Sequence, residues 1–178
     1  MVSNALAAAA VGHCIGVAPV DIKAGLESVE PVKGRLNRLD LKNGVHVIDD
    51  TYNANPGSMA AALATLAALK GPNRAVVVAG DMCELGAHSR TEHRRLGALA
   101  ADCRAARLYA TGDFAEDLAA GAMEAGMPAA AITCGGRDLL LEALKLDLRP
   151  GDWVLVKGSR AMRMETVVAG LTQWAANQ

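Results

Sequence analysis

Short apolar runs alternate along the chain with longer segments whose apolar positions recur every three or four residues, and the two periods divide it into strands and helices. Asn4 to Ile15 is an Ala-rich helix former with Gly16 as its stop. Pro19 suits a first helical turn, and Ile22, Leu26 and Val29 continue a second short helix. Pro31-Val32-Lys33-Gly34-Arg35 breaks the pattern and reads as a linker or hinge. Leu36 to Leu41 and Val45 to Ile48 then flank Lys42-Asn43-Gly44, and an Asn-Gly pair between two such runs predicts a β-hairpin.

From there the order is strand, helix, strand, helix. Met59, Leu63, Leu66 and Leu69 mark one face of a helix from Ser58 to Leu69. Arg74 to Ala79 is the apolar run of a strand covered on both faces. Ser89-Arg90-Thr91-Glu92 has the capping-box pattern and opens a helix facing inward through Leu96, Leu99, Ala100 and Cys103. Arg107 to Thr111 is a strand ending at Gly112, and Asp113 to Glu116 is a cap pattern leading a helix to Ala125. Ala130 to Thr133 is a weak strand and Arg137 to Leu146 a helix. Asp152 to Lys157 is a clear strand, and Gly158-Ser159-Arg160 opens the last helix, with Met164, Val167, Val168, Leu171 and Trp174 on one side.

This order predicts an α/β fold: a doubly wound, mainly parallel sheet that begins with an antiparallel hairpin and is preceded by two short helices. The polar loops at Asp49 to Asn55, Gly80 to Gly86, Gly112-Asp113 and Lys157 to Arg160 then share the carboxyl edge of the sheet, where open α/β folds place their ligands.

Composition narrows the classes. A chain of 178 residues suits one domain, or one domain plus a remnant, and buries about 70% of its unfolded surface. With 18 Lys and Arg against 19 Asp and Glu, the net charge is −1, so no basic field draws nucleic acid or an anionic membrane. No apolar run is long enough to cross a bilayer, and the opening residues lack a secretory pattern. Cys14, Cys83, Cys103 and Cys134 are too far apart for zinc-ribbon or CxxC spacing and read as reduced thiols of a cytoplasmic protein. Aromatic content is 3%, so Ala, Leu and Val must form the core.

Two loops concentrate the candidate chemistry. Asp49-Asp50-Thr51-Tyr52-Asn53-Ala54-Asn55-Pro56 packs two carboxylates, two amides and a Tyr between a strand and a helix; a helix cap needs one such residue, and this loop holds four. Lys157-Gly158-Ser159-Arg160 places two cations, a hydroxyl and a Gly at an expected helix N-terminus, which suits a carboxylate or phosphate. No G-x-x-x-x-G-K-[ST] occurs, so a P-loop is absent from the sequence. Asp81 and Glu84 suit a cation or an amine, and Asp81 equally suits a cap. His88 and His93 are five apart and do not make a metal pair, and His13 and His46 read as structural or solvent-facing. Cys83 reads as the one accessible thiol.

Asp49-Asp50-Thr51-Tyr52-Asn53-Ala54-Asn55-Pro56, Gly80-Asp81-Met82-Cys83-Glu84-Leu85-Gly86 and Val156-Lys157-Gly158-Ser159-Arg160 together resemble the motif series of the Mur ligases, in order, along with the Asn4-Ala-Leu-Ala-Ala helix and Gly34-Arg35. The wording of these motifs is most similar to the branch that joins D-alanyl-D-alanine to UDP-N-acetylmuramoyl-tripeptide (UDP-MurNAc-tripeptide). The resemblance implies that residues 1–33 are the terminal helices of a central ATPase domain and residues 34–178 a C-terminal Rossmann-like domain. It also implies that the P-loop, the magnesium ligands and a carbamylated lysine lie upstream of Met1, with no metal ligand in this stretch and no turnover by it alone.

By the same resemblance ATP phosphorylates the tripeptide carboxylate and the amine of D-Ala-D-Ala attacks the acyl phosphate, in cytoplasmic peptidoglycan precursor synthesis. Asn4 then meets adenine, Arg35 and Asp50 meet ATP near its ribose, and Asn53 and Asn55 shape the nucleotide side. Lys157, Ser159 and Arg160 hold carboxylates of the peptide substrates, and Asp81 steers the amine; Lys157 and Asp81 are the candidates for orienting substrate. The expected partners are the two substrates and the rest of the enzyme, with neither nucleic acid nor membrane. Two alternatives stand beside this reading: another Mur-type or folylpolyglutamate ligase domain, and a free-standing, non-catalytic Rossmann-like module that binds a small ligand or a partner.

Overall fold

The computed structural model describes residues 2–30 and 32–177, so Pro31 of the expected hinge lies outside the described residues. The chain divides into two compact units, Met1–Val32 and Lys33–Gln178. In the first, α1 (Val2–Cys14) ends where Gly16 turns left-handed at φ 83°. The Val17 N–H then returns to the Gly12 carbonyl at 2.9 Å and the Gly16 N–H to His13 at 3.1 Å, a Schellman stop. α2 (Pro19–Glu27) starts on its proline, and Ile22 packs onto the bare Cα of Gly12.

In the second unit six strands among the described residues form one sheet in the order β1-β2-β6-β3-β4-β5. β1 (Asn37–Asp40) and β2 (His46–Asp50) make the hairpin, with Asn37 opposite Asp49. Its loop is Lys42-Asn43-Gly44, closed by a Leu41 N–H to Val45 carbonyl bond at 2.8 Å, with Gly44 at φ 80°. β3 (Ala75–Gly80), β4 (Ala105–Thr111), β5 (Ile132–Cys134) and β6 (Trp153–Lys157) all pair in parallel.

Side chains alternate between two cores, as the two-residue period of a strand requires. Ile48, Val77 and Leu155 face α3 (Pro56–Lys70), α4 (Ser89–Asp102) and α5 (Ala115–Glu124). Val47, Val76, Val78, Val154 and Val156 face α6 (Arg137–Asp147) and α7 (Glu165–Ala176). The chain leaves β2 and β3 toward one face and β6, between them, toward the other. A topological switch point lies where these loops part.

Several expected element ends are corrected. Leu69 is 45% exposed, so the buried face of α3 is Met59, Ala62, Leu63 and Leu66. Ser89 to Glu92 forms no capping box: a 3₁₀ turn at Gly86–His88 feeds straight into α4, and the Ser89 hydroxyl donates to the Gly86 carbonyl at 2.9 Å. Asp113 does not cap α5. The last helix opens at Glu165 rather than at Gly158, because a 3₁₀ turn (Arg160–Met162) and a left-handed Arg163 intervene. The Arg137 guanidinium holds that detour by donating to the carbonyls of Met162 at 2.8 Å and Arg163 at 3.3 Å. Lys157 to Arg160 therefore does not form a helix N-terminus.

Candidate functional site

The loops leaving β2, β3 and β6 are tied to one another by buried polar groups. Lys157 closes β6 and is 2% exposed. Its ammonium pairs with Asp50 Oδ2 at 2.7 Å and donates to the carbonyls of Asn53 at 2.7 Å and Asp50 at 3.4 Å, so its three donors are all used. Asp50 Oδ1 accepts the Leu36 N–H at 3.0 Å, which holds Leu36 in the left-handed region at φ 52°. Arg35, beside it, lays its guanidinium over the Tyr52 ring, 4.2 Å from the centroid. The Tyr52 N–H donates to the Gly34 carbonyl at 2.9 Å, fastening the entry of β1 to the β2 loop.

Ser159 is a second knot. Its N–H donates to the Asp81 carbonyl at 2.9 Å, its hydroxyl accepts the Cys83 N–H at 2.7 Å, and it reaches the Ala54 carbonyl at 3.4 Å. Close approach of β6 to β3 is possible because both carry glycine there. A Cβ on Gly158 would sit 3.1 Å from the Gly80 Cα and 2.7 Å from Met164 Cγ.

Asp81, open in the sequence between ligand and cap, caps: its carboxylate accepts the N–H groups of Asp113 at 2.7 Å and Phe114 at 3.2 Å, at the start of α5. Gly112, at φ 118°, makes this possible, since a Cβ there would lie 2.3 Å from Asp81 Cγ. A negative charge at a helix start also suits the helix dipole.

The polar residues of the β2 loop divide by use. Asp49 accepts the N–H and hydroxyl of Thr51 at 3.2 and 2.6 Å. The Asn55 side chain accepts the Ser58 N–H at 2.8 Å while the Asn55 N–H donates to Ser58 Oγ at 3.0 Å, a reciprocal box that starts α3. Tyr52 and Asn53 stay exposed. Of the candidate residues, then, Asp50, Asp81, Lys157 and Ser159 are buried and paired within the protein, Asn55 caps, and Arg35, Asn53 and Arg160 present their side chains outward. Arg160 lies 3.5 Å from Glu165 Oε1 with most of its side chain in solvent. Asn4 is exposed on α1, in the first unit.

Two clefts border this edge. One, of about 110 Å³, lies between the start of α3 and α4 and is floored by Met59, Met82, Leu96 and Leu99. The other, of about 310 Å³, lies past β4 and β5 against Thr111, Gly112, Glu116, Cys134 and Gly135. Burial pushes the thiols of Cys134 and Cys103 up from their ordinary values. Cys83 is exposed as expected, but so is Cys14, so Cys83 is not the one accessible thiol. Among the described residues no group of three His, Cys, Asp or Glu side chains gathers as a metal site, and no helix is long and apolar enough to cross a membrane.

Sequence reasoning missed His93, which is fully buried. The signal was present, because positions 93, 96 and 100 share one face of α4.

The sheet with its antiparallel hairpin and flanking helices matches a known domain. Residues 34–160 match the family model described as "Mur ligase, glutamate ligase domain". The chain belongs to the Mur ligase family. Over 97% of its length it is 34% identical to the UDP-N-acetylmuramoyl-tripeptide–D-alanyl-D-alanine ligase of Bacillus subtilis, and equally 97% of it aligns at 37% identity with the Escherichia coli enzyme of the same name. It spans only 38% and 37% of those two proteins. Among solved structures it superposes on a MurF from Acinetobacter baumannii with a TM-score of 0.81 and 36% identity, covering 96% of this chain and 37% of that one. A MurF from Thermotoga maritima solved in complex with ADP gives 0.77 at 26% identity, over 94% of this chain and 36% of that one. The Mur ligase resemblance and the fold drawn from the sequence are thus both upheld, down to the antiparallel hairpin on a mainly parallel sheet.

Proposed function

We propose that this chain is the C-terminal portion of an ATP-dependent cytoplasmic ligase that joins D-alanyl-D-alanine to UDP-MurNAc-tripeptide. Residues 34–178 would form the Rossmann-like domain, and residues 1–33 the last helices of the ATPase domain. The observation that carries this reading is the convergence of three family motifs at one switch point. The loops after β2, β3 and β6 meet through Lys157 and Ser159, with Arg35, Asn53 and Arg160 exposed on the loops and strand entry they fasten.

The reaction fits a rim of this kind. The tripeptide carboxylate takes the γ-phosphoryl group of ATP and ADP leaves. The amine nitrogen of D-Ala-D-Ala then attacks the acyl carbon, phosphate departs, and the new amide loses a proton. Such a site must hold charge on oxygen and aim an amine, so most of its work is positioning and electrostatics. On this reading Arg160 meets a substrate carboxylate, and Arg35 with Asn53 meets the nucleotide. The buried Asp50, Lys157, Ser159 and Asp81 act by fixing the loops. Magnesium, which would neutralise the triphosphate, does not fit the two carboxylates of the β2 loop, because Asp49 and Asp50 are spent on Thr51, Leu36 and Lys157. Its ligands and the phosphate-binding loop belong to the remainder of the enzyme, so this chain alone is expected not to hydrolyse ATP.

Steady-state kinetics of the whole enzyme test the split. Losing one charge-assisted contact costs ~1.5–3 kcal/mol, or roughly 10- to 100-fold. Arg160→Ala should raise KM for a peptide substrate by about that factor and leave KM for ATP within about twofold; Arg35→Ala should do the reverse. Equal effects of both variants on both constants would refute the assignment.

A further inference from the structure

His93 sits on α4 beneath the rim, 0% exposed, and both of its ring nitrogens are engaged. Nδ1 lies 2.6 Å from the Ser89 carbonyl one turn back, and Nε2 accepts the Met82 N–H at 2.9 Å. A carbonyl can only accept and an N–H can only donate, so the ring carries its hydrogen on Nδ1. The ring also stacks on Phe114, with centroids 4.8 Å apart and planes 23° from parallel. Asp81 Oδ1 lies 3.7 Å from Nε2, but Nε2 faces it as an acceptor and that carboxylate bonds the N–H groups of Asp113 and Phe114.

One side chain thus reaches two loops. Through Met82 it holds the β3 loop, and Asp81 and Cys83, the residues on either side of Met82, both bind Ser159. Through Phe114 it holds the start of α5, the same turn that Asp81 caps. A purely apolar side chain of this size would fill the space equally well but would leave the Met82 N–H buried without a partner. An imidazole here is therefore explained by the backbone it fixes.

We propose that His93 is a positioning residue of the ligase site: its Nε2 sets the β3 loop, and through Ser159 it sets the placement of Arg160. This rests on the functional reading above and extends it to a residue outside the three motif loops. Arg160, which follows Ser159 directly in the chain, is the residue assigned above to a peptide substrate, whereas Arg35 and Asn53 are assigned to the nucleotide. Loss of the Nε2 acceptor should therefore affect the two substrates unequally.

The test uses three variants of the whole enzyme. His93→Gln keeps an acceptor near the Nε2 position, whereas His93→Asn keeps only the donor to Ser89 and His93→Leu keeps neither. His93→Asn and His93→Leu should lower kcat/KM for D-Ala-D-Ala roughly 10- to 100-fold, the scale of a small misplacement in a site, with KM for ATP within about twofold. His93→Gln should restore most of the loss. Equal loss in the Gln and Leu variants, wild-type values in the Leu variant, or parallel loss for both substrates would overturn the proposal.

A measurement on the present chain decides the point even if the wild-type enzyme fails to ligate D-Ala-D-Ala, a failure that would strike the functional reading instead. The His93 ring nitrogens should report the Nδ1–H tautomer by NMR, and the Met82 and Cys83 amides should exchange slowly in wild type and His93→Gln but rapidly in His93→Asn. Unchanged exchange in His93→Asn would refute the positioning role.

Discussion

The charges most easily read from the sequence as ligand-binding groups are used first to hold loops. Lys157 and Asp50 form a pair that is nearly out of solvent, with every ammonium donor satisfied. Removing one member of such a pair strands the other, at a cost of ~3–5 kcal/mol. Lys157→Met should lose about that much stability in urea denaturation, and adding Asp50→Asn should recover part of it. A Lys157→Met protein as stable as wild type would show that the pair is not buried as described. At the other end of β2, the hydrogen bond from His46, and next that from Arg38, holds the Asp40 carboxyl below its ordinary value of 3.8. A depressed carboxylate stabilises the fold above its ordinary pKa and loses that contribution as pH falls through the lowered one. Asp40→Asn should thus be slightly less stable than wild type at neutral pH, and the gap should close as pH falls below about 4. Asp40 is solvent-exposed, so a small gap is expected, and denaturation across a pH series would reveal it. A gap that widens in acid would contradict the assignment. The Lys157 pair could not be foreseen, because a Lys-Gly-Ser-Arg string reads the same whether its lysine faces a ligand or a carboxylate 107 positions earlier in the chain.

At the scale of elements, most of the fold was legible because periodicity and turn chemistry agree. Asn43-Gly44 announced the hairpin, the valines of β3 announced a strand covered on both faces, and Asp152 to Lys157 announced a strand at β6. What failed were starts of helices that depend on neighbours. Asp113 looks like a cap in sequence, but the capping carboxylate arrives from Asp81 on the adjacent loop. Gly158 looks like a helix start, but Arg137 and the burial of Met164 hold the chain in a 3₁₀ turn first. Neither signal is local. The crossing of α4 and α5 was equally invisible and depends on two glycines facing each other's backbones. A Cβ on Gly97 would lie 1.9 Å from the Leu118 carbonyl oxygen, and one on Gly121 1.9 Å from that of Arg94. Backbone cannot yield as a side-chain tip can, so Gly97→Ala should force the helices apart and cost at least ~1–3 kcal/mol. Gly25, on α2, is the control, because a Cβ added there would meet nothing within 4 Å. There alanine should be neutral or stabilising by up to about 1 kcal/mol, from helix propensity alone. Thermal unfolding of the two variants would contradict this account if both behave alike.

On the scale of the whole molecule, the chain corresponds to little more than a third of the ligases it resembles. The described edge carries arginine, amide and hydroxyl groups. The motifs were legible as a family because three of them fall in order, and a mainly parallel sheet put their loops on one edge; that the three loops are direct neighbours was not legible, since it depends on β6 inserting between β2 and β3. Identity of substrate is the claim on which the functional account stands. The most direct measurement is product analysis by the whole enzyme supplied with ATP and UDP-MurNAc-tripeptide, offering D-alanyl-D-alanine, diaminopimelate or glutamate as the amine. The account predicts phosphate release and a UDP-linked pentapeptide with D-alanyl-D-alanine alone. Ligation of a single amino acid instead, or no amide product with any of the three, would contradict it.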